Sequence, residues 1–300
     1  MIPVAVDQNV CNELLEKNNC FIFDCDGVLW IDGKGIDDAV NALNYLTSKN
    51  KKVYFFTNNS TKSRSAYVSK LQKLGYNAKK EQIISTSWLV AEYLKSIDFK
   101  GLIYLVGSHG IAEELKEANF KFIGLGPDPF PIDGELDFTL DPLVNCVVAG
   151  FDSHISYPKI AKAASYIQKE NCHFIVTNED TTLPSVDKDK VIPGTGSVTS
   201  SIRLAVKKQP IVMGKPNSYA WKLLQQKQWI DPSTTLMIGD RLDTDISFGR
   251  NCGLNTMAVL TGVTSLSEID SILKTVAGRS SSLIPNYYVN SITQFYSYFN

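Results

Sequence analysis

Short runs of strongly apolar residues alternate with stretches of helical spacing along almost the whole chain. Residues 20–23, 52–56, 102–106, 146–150, 173–176, 210–213, 236–238 and 256–260 read as buried strands. Between them, Val40, Leu43 and Leu46 share one helical face. Tyr67, Leu71 and Leu74 share another, which Gly75 closes as a C-cap. Near-continuous apolar strands alternating with helices predict parallel sheets covered on both faces. Two long loops without periodicity, residues 124–141 and 177–196, flank strands of the middle third and predict an inserted module there.

Composition narrows the classes. With 300 residues, 44% of them hydrophobic, the chain is long enough for one large domain or two modest ones, and wholesale disorder is excluded. A net charge of -1 without a basic run argues against nucleic acid or an anionic membrane surface as partner. No run of about 18 apolar residues is present to span a bilayer. The opening, MIPVAVDQNVCNELLEKNN, has neither a basic nor an apolar leader segment, and the six cysteines are scattered without a CxxC pair. A soluble cytoplasmic protein is expected, with the nucleus also open to it.

Chemistry gathers at strand ends. Phe21-Ile22-Phe23 runs into Asp24, Asp26 and Gly27. Two carboxylates two residues apart in extended chain point the same way, at the sheet edge where open α/β folds take ligands. Leu236-Met237-Ile238-Gly239 leads in the same manner into Asp240, Asp243 and Asp245. Two acidic groups at strand termini can converge on a hard divalent cation. Mg2+ suits such a set because it takes few carboxylates and leaves room for a phosphate.

Two further strands end in complementary groups. Residues 53–56 lead into Thr57, Asn58, Asn59, Ser60 and Thr61, which read as the opening of a helix whose N-terminus would bind phosphate. Residues 211–213 lead into Gly214-Lys215-Pro216, where Lys215 supplies the cation the acidic groups need. A phosphate ester brings up to about two negative charges. Two unit charges 4 Å apart repel by about 4 kcal/mol at an effective dielectric near 20. A carboxylate nucleophile therefore needs both the metal and Lys215 to approach phosphorus.

The segments DCDGV, TNNS, GKP and GDRLDTD, in this order and at these strand ends, resemble haloacid dehalogenase-like phosphatases. FDCDGVLW, FTNNSTKSR, PGTGS, GKPN and GDRLDTDI look more finely like the 4-nitrophenylphosphatase and phosphoglycolate phosphatase branch, fungal members in particular, over residues 21 to about 262. The resemblance implies a Rossmann-like doubly wound parallel sheet core, residues 1–84 and 207–300, with a smaller α/β cap of the C2 type inserted at residues 85–206. It implies Asp24 as nucleophile and Asp26 as general acid and then base, with Lys215 completing the catalytic group. Mg2+ would be held by Asp24, Asp26 through its main-chain carbonyl, and Asp240. Asp245, with Asp243 at an alternative spacing, would orient Lys215 and metal-bound water.

Thr57, Asn58, Asn59 and Lys215 would hold the phosphoryl group. The loop at 177–196 resembles a substrate-specificity loop, with Asn178 and Asp180 as contacts. Relatives that prefer pyridoxal phosphate carry a His at the position that aligns with Leu183, so a small aliphatic substrate such as 2-phosphoglycolate is favoured, with pyridoxal phosphate the alternative. Relatives also dimerise through the cap, which extends to a homodimer here. Among other classes, a receiver-like switch phosphorylated on Asp would share the Asp, Thr and Lys set, but it lacks an acid two residues after the nucleophile and a cap-sized insertion.

Overall fold

A computed structural model describes residues 2–129, 138–183, 189–227, 230–275 and 281–299. Parts of both long loops, residues 130–137 and 184–188, lie outside the described residues. Two parallel sheets organise the rest. The larger has seven strands in the order Val4–Ala5, Tyr287–Val289, Asn255–Val259, Thr235–Gly239, Cys20–Phe23, Lys52–Thr57, Ile83–Ser85, each pair parallel. The smaller has five, in the order Ile211–Val212, His173–Val176, Val144–Ala149, Leu102–Val106, Lys121–Ile123, again all parallel.

Side-chain alternation explains why both faces of the large sheet are covered. Phe21, Phe23, Phe55, Leu236 and Ile238 enter one buried cluster with Leu14, Leu43, Leu46, Tyr67 and Leu71 of the helices Gln8–Lys17, Ala39–Ser48 and Arg64–Lys73. Ile22, Phe56 and Met237 face the opposite way, where Phe248 of the helix Ser247–Asn251 packs with them. That second cluster continues through Leu89 and Leu94 of the helix Thr86–Ser96 to Ile103, Leu105, Cys146 and Val148 of the small sheet. One apolar core thus joins the two sheets. The outer face of the small sheet packs Val147, Phe174 and Val176 on Ala163, Tyr166 and Ile202.

The strand at Ile211–Val212, expected from sequence to open the second part of the core, pairs instead with His173–Val176 in the small sheet. The Lys215 loop is therefore delivered to the large sheet from the smaller one. Four short strands carry too few residues to announce themselves: Val4–Ala5, Ile83–Ser85, Lys121–Ile123 and Tyr287–Val289. The loop at 177–196 contains a small antiparallel hairpin, Thr182–Leu183 against Ile192–Pro193. Among the described residues no helix is long and apolar enough to cross a membrane.

The strand order places the site. Successive strands run outward from Cys20–Phe23 on one side through Lys52–Thr57 and Ile83–Ser85. On the other side the neighbour is Thr235–Gly239, from much later in the chain. The carboxyl ends of these two central strands flank the crevice at which the order reverses, where doubly wound sheets take their ligands.

Candidate active site

Asp24 and Asp240 leave the two central strands side by side, since Phe23 pairs with Ile238 and the Asp24 amide donates to the Ile238 carbonyl at 2.8 Å. Asp24, Asp240 and Asp245 each offer an oxygen within 4.8 Å of one another, and all three residues are buried. Lys215 joins them on the loop that follows the strand Ile211–Val212. Its ammonium donates to Asp24 Oδ1 at 2.6 Å, to Asp245 Oδ1 at 2.7 Å and to the Phe56 carbonyl at 2.7 Å.

Charge balance shapes this group. Burial, with Asp245 and Asp240 adding to it and Lys215 opposing it, pushes the Asp24 carboxyl well above the usual range. Burial and the neighbouring Asp245 raise Asp240 to about 7, against the hydrogen bond from the Val263 amide. Desolvation would lower Lys215, but Asp24 and Asp245 outweigh it and hold its ammonium charged. One buried cation thus serves three buried carboxylates, and the excess negative charge and all-oxygen donor set fit a hard divalent cation such as Mg2+.

Glycines make this convergence sterically feasible. Gly27 has φ +86, and a Cβ there would lie 2.4 Å from Asp240 Oδ2. A Cβ on Gly262 would lie 1.8 Å from the same oxygen. The turn after Asn255–Val259 therefore closes on Asp240 directly, and Thr261 Oγ1 donates to the Gly27 carbonyl at 2.7 Å. This third loop escapes sequence reading. Its only signal is a polar Thr-Gly following an apolar strand.

The hydroxyl and amide cluster adopts two roles. Thr57 and Asn58 are buried and line the crevice. Asn58 Nδ2 donates to the Lys215 carbonyl at 3.0 Å and to Asp180 Oδ1 at 3.3 Å, while its Oδ1 accepts from the Lys215 amide at 2.9 Å. Asn59 turns to its own loop: Oδ1 accepts from the Thr61 amide and hydroxyl at 3.0 and 2.6 Å. The expectation that a helix N-terminus sits at Thr57 is corrected. The helix runs Arg64–Lys73 with Ser63 as N-cap, and its Arg64 amide donates to Glu114 Oε1 at 2.7 Å. A carboxylate from the neighbouring module already caps that N-terminus.

Asp26 is partly exposed, and its Oδ1 accepts from the Trp30 indole at 2.8 Å. In the acidic loop, Asp245 Oδ2 also accepts from the Arg241 amide at 3.1 Å, whereas Asp243 points outward to the Arg241 guanidinium at 2.8 Å. Asp180 extends from the small-sheet module toward Asn58, with Asn178 Nδ2 on its other oxygen at 2.6 Å. Burial raises its carboxyl, against Arg241 and Asn178. A cavity of about 600 Å³ encloses Asp24, Asp26, Thr57, Asn58 and Lys215, with Trp30, Phe151, Leu183 and Val263 supplying apolar walls.

Comparison with known proteins agrees along the chain. A family model described as haloacid dehalogenase-like hydrolase matches residues 21–121, and one described as HAD-hydrolase-like matches residues 212–294. The human protein named glycerol-3-phosphate phosphatase is 36% identical over 93% of this chain and 90% of its own length. Phosphoglycolate phosphatase 1A, chloroplastic, of Arabidopsis thaliana is 37% identical over 95% of this chain and 78% of its own length. Among solved structures, 4-nitrophenylphosphatase from Thermotoga maritima superposes with TM-score 0.76 at 25% identity, covering 95% of this chain and 98% of that one.

Proposed function

The chain belongs to the haloacid dehalogenase-like hydrolases and is a phosphatase, and from that premise we propose that it hydrolyses small phosphate monoesters through a phosphoryl group carried on Asp24, with Mg2+ as cofactor. The observation that carries this reading is the shared point: Lys215 bonded to Asp24 and Asp245, with Asp240 in reach of both.

Asp24 is the nucleophile. Its carboxylate oxygen bonds to phosphorus as the ester P–O bond breaks, and Asp26 gives its proton to the leaving alkoxide. In the second half Asp26 takes a proton from water, the water oxygen bonds to phosphorus, and the Asp24–phosphorus bond breaks. Asp24, Asp240 and the Asp26 main-chain carbonyl would hold Mg2+, which would offset carboxylate charge and supply Lewis-acid polarisation of the phosphate ester. Asp245 fixes Lys215, and Lys215 steadies Asp24. Thr57 and Asn58 hold the phosphoryl oxygens, with Asn59 shaping their loop.

The inserted module that would cover the crevice starts near residue 85 and runs through the strand Ile211–Val212, which pairs with His173–Val176. Asn178, Asp180 and Leu183 bring its substrate contacts. The apolar Leu183 supports a small aliphatic ester, 2-phosphoglycolate or glycerol 3-phosphate, over pyridoxal phosphate, with 4-nitrophenyl phosphate as an artificial substrate. Six unpaired, buried cysteines suit a reducing compartment, the cytoplasm or the nucleus.

A phosphate-release screen over phosphorylated metabolites, with and without Mg2+, tests reaction class and substrate together. Release that depends on Mg2+ and favours small aliphatic esters is expected. A phosphoprotein that persists for many minutes in excess Mg2+ would instead mark a receiver-like switch.

A further inference from the structure

We infer that Trp30 is a positioning residue that decides which oxygen of Asp26 carries the proton; the inference rests on the role proposed above for Asp26. The indole is fully buried, and its Nε1–H donates to Asp26 Oδ1 at 2.8 Å. An indole nitrogen can donate but cannot accept. A carboxyl's carbonyl oxygen accepts more strongly than its hydroxyl oxygen, so this bond favours Oδ1 as the carbonyl and Oδ2 as the seat of the proton. That preference aims the acid: the proton leaves from Oδ2 to the departing alkoxide oxygen as the ester bond breaks, and the proton from water returns to Oδ2 in the second half.

The surroundings hold the indole for this task. The chain doubles back between Asp26 and Trp30, with the Gly27 amide donating to the Trp30 carbonyl at 2.8 Å and the Trp30 amide to the Cys25 carbonyl at 3.3 Å. Gly27 supplies the left-handed residue this return requires. Tyr67 stacks on the ring with centroids 6.2 Å apart and planes at 18°. The Lys70 ammonium stands 3.6 Å from the ring centroid. Tyr67 and Lys70 are three residues apart on the helix Arg64–Lys73 and so share a face. A cation over the ring draws π density away from the nitrogen and makes the N–H a stronger donor. Tyr67 also donates through its hydroxyl to the Asn59 carbonyl at 3.3 Å, tying the support for Trp30 to the loop that bears Thr57 and Asn58.

A ring that only fills space would affect every substrate alike. A ring that aims an acid matters most where the leaving group needs a proton. The experiment compares kcat of wild type, Trp30→Phe and Asp26→Ala on 4-nitrophenyl phosphate, whose phenolate leaves without much help, and on glycerol 3-phosphate, whose alkoxide does not. Trp30→Phe is expected to lower kcat on the alkyl ester about tenfold more than on the aryl ester, with KM for both little changed. The ratio of the two rates on one preparation does not depend on the folded fraction.

If Asp26→Ala lowers that ratio and Trp30→Phe leaves it at the wild-type value, the inference is overturned while the role of Asp26 stands. If Asp26→Ala itself leaves the ratio unchanged, the role of Asp26 fails, and this inference with it. Should Trp30→Phe not fold, the indole proton of Trp30 in 15N-labelled full-length protein decides. It is expected to move upfield and exchange faster in Asp26→Ala than in wild type; an unmoved resonance overturns the inference.

Discussion

Lys215 Nζ lies 2.6 Å from Asp24 Oδ1, and its remaining two donors are also taken, by Asp245 Oδ1 and the Phe56 carbonyl. An ammonium has three N–H groups, so this one is fully committed and fixed in place. Lys215→Met should lower kcat on 4-nitrophenyl phosphate by about a hundredfold or more, as the loss of a preorganised charge at a reacting group does. Lys215→Arg should not rescue it, because a planar fork cannot reach three acceptors arranged around one nitrogen. Steady-state rates at saturating Mg2+ check both.

Gly262 separates a metal effect from a substrate effect. A Cβ there would stand 1.8 Å from Asp240 Oδ2, so Gly262→Ala must displace that carboxylate. The expected result is Mg2+ activation weakened about tenfold or more, with KM for the phosphate ester nearly unchanged once Mg2+ saturates. A titration of activity against Mg2+ reads both quantities.

Without a metal, the buried carboxylates make stability depend on pH. Asp240 is raised to about 7 and Asp24 is shifted in the same direction, so the native state binds protons more tightly than the unfolded chain does. Their contribution is greatest below the ordinary carboxylate range and is lost as pH rises through about 7. In the presence of a chelator, the melting temperature should fall between about pH 5 and about pH 8. Mg2+ should restore it more at the upper end than at the lower, where protons compete for the ligands. Thermal unfolding at both pH values, with chelator and with Mg2+, checks the sign.

Glu114 ties the two modules together. Its Oε1 accepts from the Arg64 amide at 2.7 Å and its Oε2 from Arg64 Nε at 3.0 Å, while a Cβ on nearby Gly110 would strike the Lys62 backbone at 2.4 Å. Glu114→Ala takes away the acceptor of the Arg64 amide and Nε, leaving the largely buried guanidinium only the longer contact to Glu117 Oε1 at 3.7 Å. It should cost about 3 kcal/mol of stability, read by denaturant unfolding in chelator, and Glu114→Gln should recover part of it.

Much of the architecture is legible in the chain because each apolar strand ends in a polar exit. Asp24, Thr57, Lys215 and Asp240 can be picked out in this way, and the meeting of Asp24 with Asp240 follows from two strands far apart in sequence pairing as neighbours. What stays hidden depends on distant partners. At the helix that Ser63 caps, the second acceptor for its N-terminus comes from Glu114, fifty residues on. In the chain Trp30 reads equally as a wall of the site entrance or as core packing, and only the fold brings its nitrogen to Asp26. Asp243 and Asp245 have the same chemistry, and the turn alone sends one to solvent and the other to Lys215. The strand Ile211–Val212 looks like any other apolar run; its sheet is decided by pairing with His173–Val176.

The most direct test is to catch the phosphoryl group on the chain. Acid quenching in the first turnover with Mg2+ and 4-nitrophenyl phosphate, followed by peptide mass analysis, should find one phosphoryl group on the peptide bearing Asp24. Asp24→Asn should lose both the adduct and turnover while keeping its fold. Turnover by Asp24→Asn near the wild-type rate, or an adduct on any other residue, would contradict the account.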